Sequence, residues 1–120
     1  MVIISNNPLM KDVSGTNIKV IYKKISMLDL LKESLEFSYE GYTLLNHPLH
    51  ANWQMNQTPY KTLLFEHKKI REYNTTFYLN QSIEWAANLA CSRQLPEKWP
   101  HNCLRDLQEI DKENVLNYLD

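Results

Sequence analysis

Ser26-Met27-Leu28-Asp29-Leu30-Leu31-Lys32-Glu33-Ser34-Leu35-Glu36-Phe37-Ser38-Tyr39-Glu40-Gly41-Tyr42-Thr43-Leu44-Leu45 settles whether this chain is helical, all-β or mixed. Ser26 with an acid at position 29 is a variant of the capping box, a hydroxyl followed three residues later by a carboxylate, and it opens a helix. Leu28, Leu31, Leu35 and Tyr39 then recur at spacings of three and four, which puts them on one face, while Lys32, Glu33 and Glu36 point away. Gly41 closes the helix, because glycine enters the left-handed conformation without a steric penalty. Residues 42–45 follow at once as a short apolar strand.

Upstream, residues 17–22 read as a strand with Ile18, Val20 and Tyr22 on one face and Ile21 on the other. Strand, helix and strand with tight joints form a βαβ unit, whose strands run parallel. Val2-Ile3-Ile4 is an earlier β-branched strand, stopped by Ser5-Asn6-Asn7-Pro8. Asn7 suits an N-cap and Pro8 the first position of a short helix reaching about Val13, with Gly15 beyond it. Downstream, residues 62–65 form a fourth strand with a charged exit at Glu66-His67-Lys68-Lys69. A helix capped by Asn74 or Thr75 runs to about Cys91, with Leu79, Ile83, Ala86, Ala87 and Ala90 inside and Tyr78, Trp85 and Leu89 widening the stripe. Two prolines, Pro96 and Pro100, bracket Trp99, which is expected at the core edge. A short helix over residues 102–107 and a last one after Asp111, burying Val115, Leu116 and Leu119, end the chain. The expected architecture is a small α/β domain spanning residues 1–120, with flanking helices on a mainly parallel four-stranded sheet.

Composition limits the functions. At 120 residues, with 43% hydrophobic and 22% charged residues, one core is the expectation. A formal net charge of -1 supplies no basic excess for phosphate backbones or anionic lipid, so neither nucleic-acid nor membrane binding has support. Cys91 and Cys103 stand far apart and outside any C-x-x-C pair, which reads as reduced thiols. No apolar run reaches the roughly 18 residues of a membrane span, and Met1-Val2-Ile3-Ile4 is too short for a signal peptide. A cytoplasmic protein is expected.

The chemistry is expected in the connection at residues 46–61. It is longer than most connections in small domains, and it carries Trp53, Met55 and Tyr60, which disordered segments tend to lack. Ligands of open α/β sheets bind beyond the carboxyl ends of the strands. If the first and third strands are parallel, Asn6, Asn7 and His47 converge there, and Lys61 adds a positive charge. Together with a helix N-terminus after Pro8, this set suits a small carboxylate or phosphate metabolite. The plainer reading is that Asn6 and Asn7 cap the first helix and His47 bonds a buried carbonyl. His47 and His50 have no third ligand nearby in sequence, so no metal is expected. No cofactor is indicated. Catalysis would rest on His47 as acid or base, without an evident second group.

Ser5-Asn6-Asn7-Pro8, Gly41-Tyr42 leading to His47-Pro48-Leu49, and Asn56-Gln57-Thr58-Pro59-Tyr60-Lys61-Thr62 together resemble the GrdX family, small proteins encoded beside glycine, sarcosine, betaine or proline reductase components. Lys98-Trp99-Pro100, Asp106-Leu107-Gln108 and Ile110-Asp111 resemble that family's tail, so the likeness spans nearly the whole chain. Asn6, Asn7, Pro8, His47, Pro48, Thr58, Pro59, Tyr60 and Lys61 match, which adds Thr58 and Tyr60 to the candidate ligand contacts. Gln57 stands where the family usually has an acid, and His50-Ala51-Asn52 where it usually has a Gly-Ser type step. The resemblance implies an accessory role in amino-acid reductase systems. One form of that role is a protein that docks on a reductase component through the loop, with Trp53, Met55 and Tyr60 as anchors.

Overall fold

The computed structural model describes residues 1–46, 58–67, 73–89 and 95–119. Four strands, β1 (Val2–Ser5), β2 (Lys19–Tyr22), β3 (Tyr42–Leu44) and β4 (Thr62–His67), form one sheet in the order β2-β1-β4-β3. Helices α1 (Met27–Tyr39), α2 (Tyr73–Ala87) and α3 (His101–Leu119) cover it, with 3-10 turns at Pro8–Asp12 and Pro96–Lys98.

The sheet is mixed, which corrects the expectation of a mainly parallel one. β1 pairs parallel with β2, but β4 runs antiparallel to both β1 and β3. β1, β2 and β3 therefore point the same way, while β2 and β3 occupy opposite edges and do not pair. The reason lies in β4. Leu63, Leu64 and Phe65 are fully buried and project to alternate faces, so this strand needs cover on both sides and takes a central slot. β2 begins with exposed Lys19, and β3 is three residues long, as suits edges.

Alternation along the strands separates two apolar layers. Ile4, Leu63 and Phe65 pack with Met27, Leu30 and Leu31 of α1 and Leu79 and Ala86 of α2. Ile3 and Leu64 pack on the other face with Met10, Val13 and Val115, the last from α3. Tyr118 fastens the far end of α3 by donating its hydroxyl to the Leu45 carbonyl at 3.0 Å.

Local signals in the sequence hold at several joints. The Asn7 side chain accepts from the Leu9 N–H at 3.0 Å, capping the 3-10 turn that replaces the expected short helix. Ser26 accepts from the Asp29 N–H at 3.2 Å. Gly41 has φ 95, so alanine there would sit in the left-handed region. Gly41→Ala is expected to cost about 1–2 kcal/mol in urea denaturation, the penalty of that conformation for a residue bearing Cβ.

Helix faces depart from expectation in specific ways. The buried face of α1 is Met27, Leu30, Leu31, Ser34 and Ser38, and Tyr39 is exposed. Leu28 and Leu35 are only partly buried against the core. The helix packs on α2 as well as on the sheet, and small hydroxyls permit that approach. Ser34 and Ser38 satisfy themselves by donating to the Leu30 and Leu35 carbonyls, and Thr76 of α2 donates to Ser38 at 3.1 Å. On α2, Ala87 and Trp85 face outward, and Thr75 serves as acceptor for the Leu44 N–H instead of a cap. Ala90 and Cys91 lie outside the described residues. The two expected C-terminal helices are one continuous helix, because nothing between residues 107 and 111 breaks it. Asp111 is thus inside α3, Val115 is buried and Leu116 is exposed. Trp99 is half-buried. No described helix is long and apolar enough to cross a membrane.

Candidate functional site

Because β1 and β4 are antiparallel, the carboxyl end of β1 meets the start of β4, with Ser5 opposite Thr62. Asn6 extends this junction with both main chain and side chain. Its N–H donates to the Lys61 carbonyl at 3.3 Å, and its Oδ1 accepts from the Lys61 N–H at 2.8 Å. Its Nδ2 donates to the Ile25 carbonyl at 3.1 Å and the Pro59 carbonyl at 3.0 Å. One buried side chain thus ties together the end of β1, the entry to α1 and the approach to β4.

Asn7 reaches the opposite layer. Its Nδ2 donates to the Gln108 carbonyl and to Asp111 Oδ2, both at 2.9 Å, so the first turn is held to the middle of α3. The same carboxylate oxygen accepts from Thr62 Oγ1 at 2.6 Å. Thr62 Oγ1 also lies 2.7 Å from Ser5 Oγ. The threonine has a single hydroxyl proton, and it goes to the carboxylate. Ser5 therefore donates to Thr62, while its own oxygen accepts from the Asn7 N–H at 2.9 Å. The result is a directed chain of donors from Asn7 through Ser5 and Thr62 to Asp111, with Ser5, Asn7 and Thr62 all buried.

Lys61 and Asp111 are the charged members of this edge. Lys61 retains 9% of its surface, and its pKa falls to about 8 because burial penalises the ammonium, an effect that the Asp111 charge only partly opposes. The Asp111 carboxyl is the inward-facing part of a partly exposed residue. Burial raises its pKa, against the hydrogen bonds from Thr62 and Asn7 and the charge of Lys61. At both groups desolvation outweighs mutual attraction. Among the described residues, no side-chain hydrogen bond or ion pair takes up the Lys61 ammonium.

Tyr60 joins this edge to a cavity. Its hydroxyl accepts from Gln108 Nε2 at 2.7 Å, and burial, ahead of the other influences, raises its pKa. The cavity, about 320 Å³, opens between the β2–α1 connection and the start of α3. Asn6, Pro8, Tyr22, Ile25, Tyr60 and Leu104 form much of its wall, with exposed Lys24, Glu97 and His101 also lining it. Two helix N-termini, α1 at Ser26 and α3 at His101, contribute to the lining, and each brings partial positive charge.

Of the sequence-derived ligand candidates, Asn6, Asn7, Tyr60 and Lys61 meet at one edge. Asn6 and Tyr60 touch the cavity, whereas the side chain of Asn7 is engaged with Leu9, Gln108 and Asp111. Thr58 Oγ1 accepts from the Tyr60 N–H at 3.2 Å. His47, Trp53 and Met55 lie outside the described residues. Asn46 bridges β4, donating to the Thr62 carbonyl and accepting from the Leu64 N–H. Sequence reasoning did not single out Ser5, Thr62, Gln108 or the inward role of Asp111. The available signal was Asp111 itself, an acid within a helical run that the sequence reading divides into two helices. Among the described residues, no three His, Cys, Asp or Glu side chains gather as a metal site.

Across residues 2–120 the chain matches the family model described as GrdX-like protein. No curated protein and no solved structure matched it.

Proposed function

The chain belongs to the GrdX-like protein family, and from that premise we propose that it is an accessory protein of glycine, sarcosine, betaine or proline reductase systems that binds a small anionic metabolite at the carboxyl end of β1. The observation carrying the ligand half of this reading is the cavity of about 320 Å³. Its size lies at the lower end of small-molecule sites, roughly 300–1,000 Å³. Tyr22, Ile25 and Tyr60 offer an apolar body, while Lys24 and two helix N-termini favour a carboxylate or phosphate at the mouth. Lys61, adjacent to Tyr60 in the chain, adds positive charge to the same edge. The reductase half rests on the family resemblance.

Melting temperatures recorded against phosphate, acetyl phosphate, glycine, sarcosine, betaine and proline test the ligand half. A metabolite at about a hundred times its dissociation constant adds roughly 2.7 kcal/mol, which moves the melting point of a domain this size by several degrees. That shift is expected in the wild type and should vanish in Leu104→Trp, which fills the cavity from a partly exposed position. A cooperative melt unmoved by every compound would overturn the binding reading.

A second reading, a protein that docks on a reductase component, draws on α2. Phe77 and Trp85 are 63% and 57% exposed and lie two turns apart on its outer surface. Aromatic side chains of that kind are enriched at binding hot spots. Retention of the wild type by an immobilised reductase component, lost in Phe77→Ala and Trp85→Ala, would favour it over metabolite binding.

A further inference from the structure

Burial sorts the residues around the cavity by depth. Lys24, Glu97 and His101 are exposed and form its rim, and half-buried Pro8, Tyr22, Ile25, Leu95, Pro96 and Leu104 form most of its sides. Asn6 and Tyr60, each 3% exposed, are its floor. The polar groups of that floor are not equally committed. Asn6 spends both Nδ2 protons on the Ile25 and Pro59 carbonyls and its Oδ1 on the Lys61 N–H. Tyr60 keeps something in hand: its oxygen accepts from Gln108 Nε2, yet among the described residues no acceptor takes its own hydroxyl proton. A buried donor without an acceptor costs stability and is rare in folded proteins, where a water or a ligand normally meets it.

The surroundings decide which acceptor suits that proton. No charged side chain lines the floor and the sides are largely apolar, so an anion placed there would lose its water without a counter-charge. A ligand hydroxyl would bring a further donor in need of its own acceptor, whereas a carbonyl oxygen only accepts. We propose that Tyr60 determines the specificity of this cavity by selecting a carboxylate that also bears a ketone group. The ketone oxygen takes the Tyr60 proton at the floor, and the carboxylate stays at the rim beside Lys24 and the N-terminus of α1. Pro8, Ile25 and Leu104 face the apolar chain that joins the two groups. No covalent bond is made or broken. The assignment rests on the metabolite reading above and adds to it the chemistry of the ligand's inner end.

The test is titration calorimetry on the full-length chain with matched pairs, 4-oxopentanoate against pentanoate and 5-oxohexanoate against hexanoate. Each pair keeps the carboxylate and the chain length and differs only in the ketone. At least one oxo acid is expected to bind about tenfold more tightly than its partner, the upper end for one hydrogen bond between neutral groups, and Tyr60→Phe should erase or reverse the difference. The infrared carbonyl stretch of the bound oxo acid supplies a readout in the wild type alone, so the result does not depend on the variant folding. It should lie at or below its frequency in water, where the ketone is hydrogen-bonded. A rise to the frequency found in an apolar solvent would overturn the proposal, as would equal affinities within both pairs or a preference that persists in folded Tyr60→Phe. Those outcomes leave the cavity a carboxylate site. Binding by no member of either pair would instead sink this inference together with the metabolite reading beneath it.

Discussion

Replacement of Asp111 by alanine is expected to cost the fold about 3 kcal/mol, read as a lower urea midpoint at unchanged slope. The carboxylate oxygen is the acceptor for both the Thr62 hydroxyl and the Asn7 amide. Asn7 keeps its bond to the Gln108 carbonyl, but Thr62, already accepting from Ser5, would hold a proton with no acceptor in a buried position. Leaving such groups unsatisfied costs about 1–3 kcal/mol each. Asp111→Asn separates the hydrogen bonds from the charge. Its amide oxygen can still accept, so about 1 kcal/mol is expected. The raised carboxyl pKa sets the pH dependence: the contribution of Asp111 is fully present below the ordinary carboxylate range and is lost as pH rises through the folded value. The gap between wild type and Asp111→Asn should therefore widen on acidification.

Lys61→Met is expected to act in the opposite direction, stabilising the protein by about 2 kcal/mol at pH 7. A pKa lowered from 10.5 to about 8 means that the folded chain binds fewer protons than the unfolded chain between those values. Stability from this group is present above the ordinary lysine value and is lost as pH falls through about 8. Wild type should accordingly gain on Lys61→Met between pH 8 and 10.5, whereas the variant lacks that rise. The full shift corresponds to about 3 kcal/mol, and part of it is returned because Asp111 loses its opposing charge. A calorimetric pH series on the two proteins checks both the sign and the window. Equal stability at pH 7, with parallel pH curves, would mean that the Lys61 amine is solvated after all.

Signals that act over a few residues were readable in the sequence. Asn7 before Pro8, Ser26 before the first turn of α1 and Gly41 after its last each carry a local mechanism, and each sits at the boundary where that mechanism places it. What could not be read were choices made by distant partners. Nothing near residues 62–65 says that β4 enters between β1 and β3, because that depends on which slot covers both of its faces. The same holds for α1, where Ser34 and Ser38 look polar in a periodicity count but become interior once α2 lies against them. At the candidate site, Asn6, Asn7 and Lys61 were legible as an unusual polar set beside turn residues, and Tyr60 joined them through the family resemblance. Asp111 was not, since its role comes from Asn7, more than a hundred positions earlier in the chain.

The central position of β4 also bears on how the chain reaches its native state. β1 and β2 can associate with α1 early, through contacts close in sequence, but the inner edge of β1 must wait for a partner some 60 residues away. β3 has no hydrogen-bonded neighbour in the sheet until that same strand arrives. Closing so long a loop before any contact rewards it makes this the slow step. During synthesis, an apolar strand edge stands open until residue 67 clears the ribosome. Intermolecular strand pairing at β1 is consequently the expected failure when refolding at high concentration, and destabilising β4 should increase aggregation more than an equal loss in α3.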